Sequence, residues 1–338
     1  KVATEVAYGA SIAGVRSLCA MKHVGVNVAA DPIFTAAYNG VGGGFVVVSA
    51  DDPSMHSSQN EQDNRWYSRL AKIPTFEPCD SQEAKDYVKL AFEMSEKFDT
   101  PCLIHSVMRV SHCKSVVELG ERTENPKVLE KFPRNLPKYN CTAMYARVMH
   151  ARIEENIKKI ADYVETCGIN RVEMRDTKMG IICTGVMYAY IKDVFPNASV
   201  LKLGMSYPLP QNMIKDFASK VDKVYVIEEL DPVIEEQVKS MGVDCVGKEL
   251  FPACYELLPD RLLDICLENG ILDKDPRTHD VKEVENLPGR NPVLCAGCPH
   301  RSTYYVLKKH DIACAGDIGC YNLGAQPPFE AQHTMGCM

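Results

Sequence analysis

At 338 residues with 46% hydrophobic and 25% charged side chains, the chain is long enough for two or three ordinary domains and too apolar to be disordered. Acidic residues number 45 against 38 basic ones, a net charge of −7, and no run of Lys and Arg supplies the clustered positive charge that nucleic-acid phosphates require. No apolar stretch approaches the roughly 20 residues of a membrane-spanning helix, so no nucleic-acid and no membrane role is expected.

Cysteine is the compositional outlier, at 15 residues. Cys19, Cys102, Cys183, Cys245 and Cys266 sit inside apolar segments, and no secretion signal precedes them. An odd, dispersed set reads as reduced thiols in a cytoplasmic protein, of a kind suited to an anaerobe. Lys1 opens with apolar helical periodicity already running at Val2, Val6, Ala7, Ala10 and Ala13, and the sequence closes at Gly336-Cys337-Met338, where a glycine turn is expected to launch another element. The sequence therefore reads as an internal fragment of a longer polypeptide.

In chain order, residues 1–120 alternate helical patterns with short β-branched strands, the signature of a parallel α/β sheet. A helix is predicted over Val2 to Ser17, a strand over Leu18 to Met21, a loop carrying Lys22-His23-Val24-Gly25, and a helix over Asn27 to Tyr38 with Pro32 near its first turns. Gly40 to Gly44 reads as a flexible lead into a strand at Phe45 to Ser49. The polar stretch Asp51 to Asn60 follows that strand's carboxyl end, where open α/β sheets place ligands. A helix over Ser81 to Lys97 and a strand over Pro101 to Ser106 complete this region.

Residues 121–176 form a linker, rich in Pro, Lys and Asn from Glu121 to Tyr139, and a helix over Ala146 to Glu165 with Ile153, Ile157, Ile160 and Val164 on one face. A second α/β region occupies 177–256, with strands at Gly180 to Cys183, Val200 to Leu203, Lys223 to Ile227 and Asp244 to Val246, and a helix after Pro208 and Pro210. A further linker, helical and then polar, covers 257–290, and a third α/β region begins within 291–338.

Several residues could carry chemistry. Cys295-Ala296-Gly297-Cys298 places two thiolates three apart on a turn, as zinc and iron–sulfur sites do, with Cys314 and Cys320 shortly after. A packed turn and a redox dithiol are the other readings. Gly316-Asp317-Ile318-Gly319-Cys320 follows an apolar strand; Asp317 caps the next helix there or helps face a phosphate. Arg65 and Arg69 share a face if their segment is helical, solvated by default or else able to grip a carboxylate. Glu228 and Glu229 close a strand as a surface turn or subunit contact, with a binding edge as the alternative. The glycines at 42–44 do not match G-x-G-x-x-G, and no dinucleotide site is read there.

Five longer segments together resemble one family. Met21 to Pro32, and Ala50-Asp51-Asp52-Pro53 running into His56-Ser57-Ser58-Gln59-Asn60-Glu61-Gln62-Asp63-Asn64-Arg65, resemble the first domain of the indolepyruvate ferredoxin oxidoreductase large (alpha) subunit. Val226-Ile227-Glu228-Glu229-Leu230-Asp231-Pro232 resembles that family's middle domain. Cys295-Ala296-Gly297-Cys298-Pro299-His300-Arg301 and Gly316-Asp317-Ile318-Gly319-Cys320-Tyr321 resemble the start of its diphosphate-binding domain. The matches are colinear over the whole chain.

The resemblance implies a thiamine diphosphate-binding α/β fold. Residues 1–120 would be the pyrimidine-binding domain, 177–256 a transketolase-C-terminal-like domain, and 291–338 the start of the diphosphate-binding domain. It implies thiamine diphosphate, Mg2+ and [4Fe-4S] clusters in the full-length protein. The activity implied is oxidative decarboxylation of an aryl 2-oxo acid such as indolepyruvate, with coenzyme A taking the acyl group, ferredoxin the electrons, and a smaller beta subunit as partner. Carried over by motif, Arg69, with Arg65 as its rival, matches the arginine that binds the substrate carboxylate. His23 and Asn27 lie in the loop that would face the cofactor, Asp317 and Cys320 in a cofactor-binding segment. Cys295, Cys298 and Cys320 match ligands of an iron–sulfur cluster whose fourth ligand is expected past Met338; nothing in the spacing of Cys337 favours it. The family's catalytic glutamate would fall just before Lys1, so no catalytic residue is assignable, and the magnesium-binding Gly-Asp-Gly…Asn segment would fall after Met338. The 338 residues alone are therefore expected not to turn over. Within the same chemistry the alternative is another 2-oxo acid as substrate; from a different class, it is a non-catalytic α/β binding or assembly fragment.

Overall fold

The computed structural model describes residues 1–122, 134–277, 288–289 and 291–336. Parts of both expected linkers, and Cys337, lie outside the described residues. The chain divides into two compact units: the first takes residues 1–56 and 61–277, the second 57–60 and the residues from 278 onward.

The first unit opens with helix α1 (Val2–Ile12), strand β1 (Ser17–Lys22), helix α2 (His23–Asn39) and strand β2 (Phe45–Asp51). It continues through α3 (Arg65–Ala71), β3 (Thr75–Phe76), α4 (Ser81–Phe98), β4 (Cys102–Val107), α5 (Met108–Ser111), α6 (Leu136–Tyr139) and α7 (Ala143–Val164). Then come β5 (Arg171–Glu173), β6 (Asp176–Thr184), α8 (Met187–Val194), β7 (Ala198–Leu203), β8 (Met205–Tyr207), α9 (Gln211–Ala218), β9 (Val224–Ile227), α10 (Val233–Ser240) and α11 (Pro259–Glu268).

Two sheets organise it. The first has the order β1-β2-β4-β3-β8 and the second β5-β7-β6-β9. β1, β2, β4 and β3 run parallel, in register Val46↔Cys102 to Asp51↔Val107 across the centre. Every residue of β4 is buried, as expected of a parallel strand covered on both faces. The strand over Asp244 to Val246 reduces to one bridge, Tyr225↔Val246.

Three short strands of this unit, β3, β5 and β8, had no signal in the sequence. Gly204 follows β7, and the chain then leaves the second sheet so that β8 pairs antiparallel with β3 of the first. The helix predicted over Ala146 to Glu165 is α7, and its Ile160 and Val164 join Val46, Phe76, Ile104 and Met205 in one apolar cluster under the first sheet. A strand from the second region and the linker helix thus both build the first core.

Local chemistry explains the boundaries. Asp80 caps α4 by accepting the Glu83 N–H at 2.8 Å, while the Glu83 carboxylate reaches back to the Cys79 N–H at 2.9 Å. The face expected for α1 is reversed: Val2 and Val6 are exposed, while Thr4, Tyr8 and Ser11 are buried. Burying these polar side chains is tolerated because they find partners, Tyr8 Oη donating to Gly40 O at 3.1 Å and Ser11 Oγ to Gly43 O at 2.5 Å. The 40–44 segment is consequently a packing surface rather than a flexible lead, since a Cβ on Gly43 would lie 2.5 Å from the Val15 backbone.

In the second unit α12 (His300–Lys309), β10 (Ala315–Asp317), α13 (Cys320–Gly324) and β11 (Thr334–Gly336) surround a small core of Leu294, Tyr304 and Ala331. β10 and β11 pair in parallel. β10 includes Gly316 and Asp317 instead of ending before them, as the apolar strand read from the sequence would.

Candidate active site

The carboxyl ends of β2, β4 and β3 gather a buried polar network. Asp51, the last residue of β2, accepts the Ser49 hydroxyl at 2.7 Å and the Asn64 N–H at 2.9 Å. Its Oδ2 also lies 2.9 Å from His105 Nε2 on β4, and His105 Nδ1 lies 3.0 Å from Glu77 Oε2, just past β3. Burial alone would favour a neutral ring, but Glu77 and Asp51 outweigh it and hold the His105 pKa well above its ordinary value. Both ring nitrogens therefore donate, and His105 is an imidazolium bridging two carboxylates.

Asp51, Asp63 and His105 are the one group of three such residues, among those described, whose donor atoms lie within 4.8 Å of one another. Their donors are already hydrogen-bonded, however, and the Arg65 guanidinium adjoins Asp63. The trio is an ion-paired core and not a metal centre.

Arg65 closes this core. Its Nε and Nη2 grip Asp63 at 2.8 and 2.5 Å, Nη1 reaches Glu228 at 2.7 Å, and Nη2 also meets the carbonyl of Glu229 at 2.8 Å. The neighbouring Trp66 donates its indole N–H to Asp231 at 2.6 Å. This corrects two expectations: Arg65 is 3% exposed instead of lying on a solvated face, and Glu228, at 1%, is no surface turn. With its fork occupied, Arg65 is not free to take a substrate carboxylate. Arg69, on the same helix α3, stacks 4.7 Å from the Trp66 ring and pairs with Glu236 of α10 at 3.3 Å.

Glu229 is buried beside the same network, and its Oε1 accepts the Leu257 N–H at 3.0 Å. Burial pushes its pKa up to about 7, against the opposing pull of that N–H. An acid whose folded pKa is raised contributes stability that is present below its unfolded value, near 4.5, and is lost as pH rises through about 7. Glu229→Gln keeps the acceptor without the charge. It is expected to match the parent near pH 4 and to exceed it at pH 8 by up to about 3 kcal/mol, measured by urea unfolding at the two pH values.

The residues expected to face a cofactor occupy different settings. His23 does not lie in a loop: it is the first residue of α2 and is fully buried, its carbonyl accepting the Asn64 amide at 3.0 Å. Asn27 is exposed one turn later on α2, and its Oδ1 accepts the Tyr67 hydroxyl at 2.7 Å.

In the second unit, Cys295 and Cys298 lie on a turn closed by a 3.1 Å bond from Cys298 N to Cys295 O, with Gly297 at φ 71°. Cys298 Sγ is 3.3 Å from His300 Nδ1. The Tyr304 hydroxyl donates to Cys320 O at 3.3 Å. Burial is the main cause that raises the Tyr304 pKa above its ordinary value. Cys295, Cys298, Cys314 and Cys320 are all free thiols, and Cys295 and Cys320 are exposed. Asp317 is exposed at the end of β10, and its Oδ1 accepts the N–H of Ile318 at 2.7 Å. It does not cap α13, whose N-cap is Gly319 with no side-chain bond. A set of thiols free of disulfides on one small unit fits an iron–sulfur cluster in donor chemistry.

No helix among the described residues is long and apolar enough to cross a membrane. No protein-family model matches the chain. Among solved structures, a 2-oxoglutarate:ferredoxin oxidoreductase from Magnetococcus marinus superposes with a TM-score of 0.60 at 13% identity, covering 79% of this chain and 55% of that one. A split-gene transketolase, described as an inactive beta4 tetramer, gives 0.51 at 15% identity over 80% of this chain and 81% of that one. These likenesses are of fold, and they agree with the parallel α/β architecture of a thiamine diphosphate-binding fold expected from the sequence. Three curated relatives carry the name indolepyruvate oxidoreductase subunit IorA. That of Archaeoglobus fulgidus is 44% identical over 100% of this chain and 57% of its own length. That of Pyrococcus horikoshii is 39% identical over 99% and 55%, and that of Methanothermobacter marburgensis 40% identical over 98% and 57%. The chain spans little more than half the length of these relatives, and over essentially all of its own length it is homologous to the IorA subunits of indolepyruvate oxidoreductase.

Proposed function

We propose that the chain is part of a thiamine diphosphate-dependent enzyme that oxidatively decarboxylates aryl 2-oxo acids, indolepyruvate foremost, to acyl-CoA, with electrons passed to ferredoxin. The observation that carries this reading is 39–44% identity, over nearly the whole chain, to relatives named for indolepyruvate oxidation. In this reading a smaller beta subunit completes the enzyme, which works in the cytoplasm, where its many thiols stay reduced.

The chemistry supplied when the cofactors are bound is stabilisation of the carbanion left by decarboxylation, and one-electron transfer through clusters. This chain's own residues bind and orient. Asp317 and Cys320 are candidate cofactor-binding residues, and Cys295, Cys298 and Cys320 are candidates for a [4Fe-4S] cluster. Asn27, exposed on α2, remains a candidate contact to thiamine diphosphate, whereas buried His23 would act by holding the Asn64 segment against it. The Asp51–His105–Glu77 bridge and the Arg65 fork fix the strand ends so that ligand-facing loops need no reorganisation on binding.

The test is coenzyme A-dependent dye reduction by the full-length protein with its partner subunit, across a panel of aryl and aliphatic 2-oxo acids. Turnover with indolepyruvate or phenylpyruvate is expected; inactivity with every 2-oxo acid would contradict the reading. Anaerobically purified full-length protein is also expected to be brown, and Cys295→Ser with Cys298→Ser to remove part of its iron. Unchanged iron content would leave the pair as a structural turn.

A further inference from the structure

The functional reading leaves open which side chain holds the substrate's carboxylate, because Arg65 is enclosed and Arg69 faces Trp66 and Glu236. A different basic pair stands at the carboxyl ends of the two central strands. Arg109 follows β4 directly, and His56 follows β2, its neighbour in the sheet.

Glu256, 147 and 200 positions along the chain from them, joins the two. Its carboxylate, 7% exposed, takes Arg109 Nε and Nη2 at 2.7 Å each and His56 Nε2 at 2.5 Å. The Arg109 and His56 side chains both remain about 40% exposed, and Arg109 Nη1 makes no hydrogen bond to the described residues. One almost buried carboxylate therefore orients a guanidinium and an imidazole ring whose other edges are open to solvent.

The backbone around this triad is strained. Ser54, Met55 and Tyr255, none of them glycine, have φ of 69°, 53° and 68°. Glu61 staples the two loops by accepting the N–H of Ser54 at 2.6 Å and of Tyr255 at 3.1 Å, and the Glu256 N–H donates to Ser54 Oγ at 2.8 Å. Left-handed non-glycine residues are costly and concentrate where function over-determines the backbone. A surface ion pair alone does not account for three of them. Tyr255, adjacent to Glu256 in sequence, leaves its ring half exposed, with the Arg261 guanidinium 6.0 Å from its centroid.

We infer that Arg109 and His56, oriented by Glu256, grip the carboxylate of the 2-oxo acid, with Tyr255 offering an aromatic surface for its aryl group. This rests on the functional reading above. It assigns to α5 and the 52–56 loop a role that motif matching had given to α3.

The test uses the full-length enzyme with its partner subunit and compares indolepyruvate with its methyl ester, which lacks the negative charge. Arg109→Gln is expected to raise the KM for indolepyruvate about 10- to 100-fold, the worth of a lost charge-assisted contact. Inhibition by the ester and the KM for coenzyme A should stay unchanged, and Arg109→Lys should fall between. An active variant with unchanged indolepyruvate KM would overturn the assignment. So would equal losses for acid and ester, which mark a structural role, or a rise confined to coenzyme A, which marks a phosphate site. Should Arg109→Gln fail to assemble, His56→Gln carries the same comparison with the Arg109–Glu256 pair intact. A wild-type complex inactive on all 2-oxo acids would remove the functional reading itself, a result distinct from an active enzyme indifferent to Arg109.

Discussion

Arg65→Ala is expected to lower the unfolding free energy of the first unit by about 3–5 kcal/mol, because it leaves Asp63 and Glu228 buried without their counter-charge. Asp63 is the more exposed to this loss in energetic terms: burial would raise its pKa, and Arg65 reverses that, holding it below the usual carboxylate value. Trp66, the single tryptophan of the chain, hydrogen-bonds Asp231 at the same junction and reports on it directly. Urea unfolding followed by its fluorescence checks the prediction. A loss below about 1 kcal/mol would mean that Arg65 behaves as a solvated surface residue. Arg65→Lys should also be destabilised, since an ammonium cannot reproduce a fork shared among Asp63, Glu228 and the carbonyl of Glu229.

His105→Leu is the second large effect, again about 3–5 kcal/mol, because it leaves Asp51 and Glu77 facing one another across an apolar side chain. The pH dependence follows from the raised pKa of the ring. A base whose folded pKa lies above its unfolded one contributes stability fully below the unfolded value, about 6.5, and loses it as pH rises through the folded value. The gap between parent and variant should therefore narrow as pH rises from neutral into the alkaline range, where the parent loses the histidine contribution. A gap that went on widening in the alkaline range would show a neutral ring in the folded protein. Glu229 acts in the same direction between about pH 4.5 and 7, so the pH series is best run in the Glu229→Gln background to isolate the histidine.

Periodicity carried much of the fold. The stripe of Ile153, Ile160 and Val164 located α7, and the β-branched runs located β2, β4, β6 and β7, because a buried strand or an amphipathic helix is written in adjacent residues. The exposed valines of α1 misled for the same reason: their spacing is helical, yet the buried face is built from Thr4, Tyr8 and Ser11, and the hydroxyls of Tyr8 and Ser11 are satisfied by the distant 40–44 segment. Strands as short as β3 and β8 are fixed by pairing with one another rather than by their own residues.

The candidate site divides along the same line. Motifs located the strand-end loops, since Asp51, Asp63 and Arg65 lie in one continuous segment that matched the family. What each residue does there was not legible. Arg65 meets Glu228 across 163 positions, and Arg109 and His56 meet Glu256 across 147 and 200. An arginine enclosed between two buried carboxylates and one with an open edge look alike in sequence, and only burial separates Arg65 from Arg109.

The most direct test of the account is a cryo-electron microscopy map of the anaerobic full-length complex with thiamine diphosphate and an uncleavable aryl 2-oxo acid analogue. The account predicts the analogue over the carboxyl ends of β2 and β4, its carboxylate against Arg109 and His56. An analogue resolved at the amino ends of those strands, or against the second sheet alone, would contradict it.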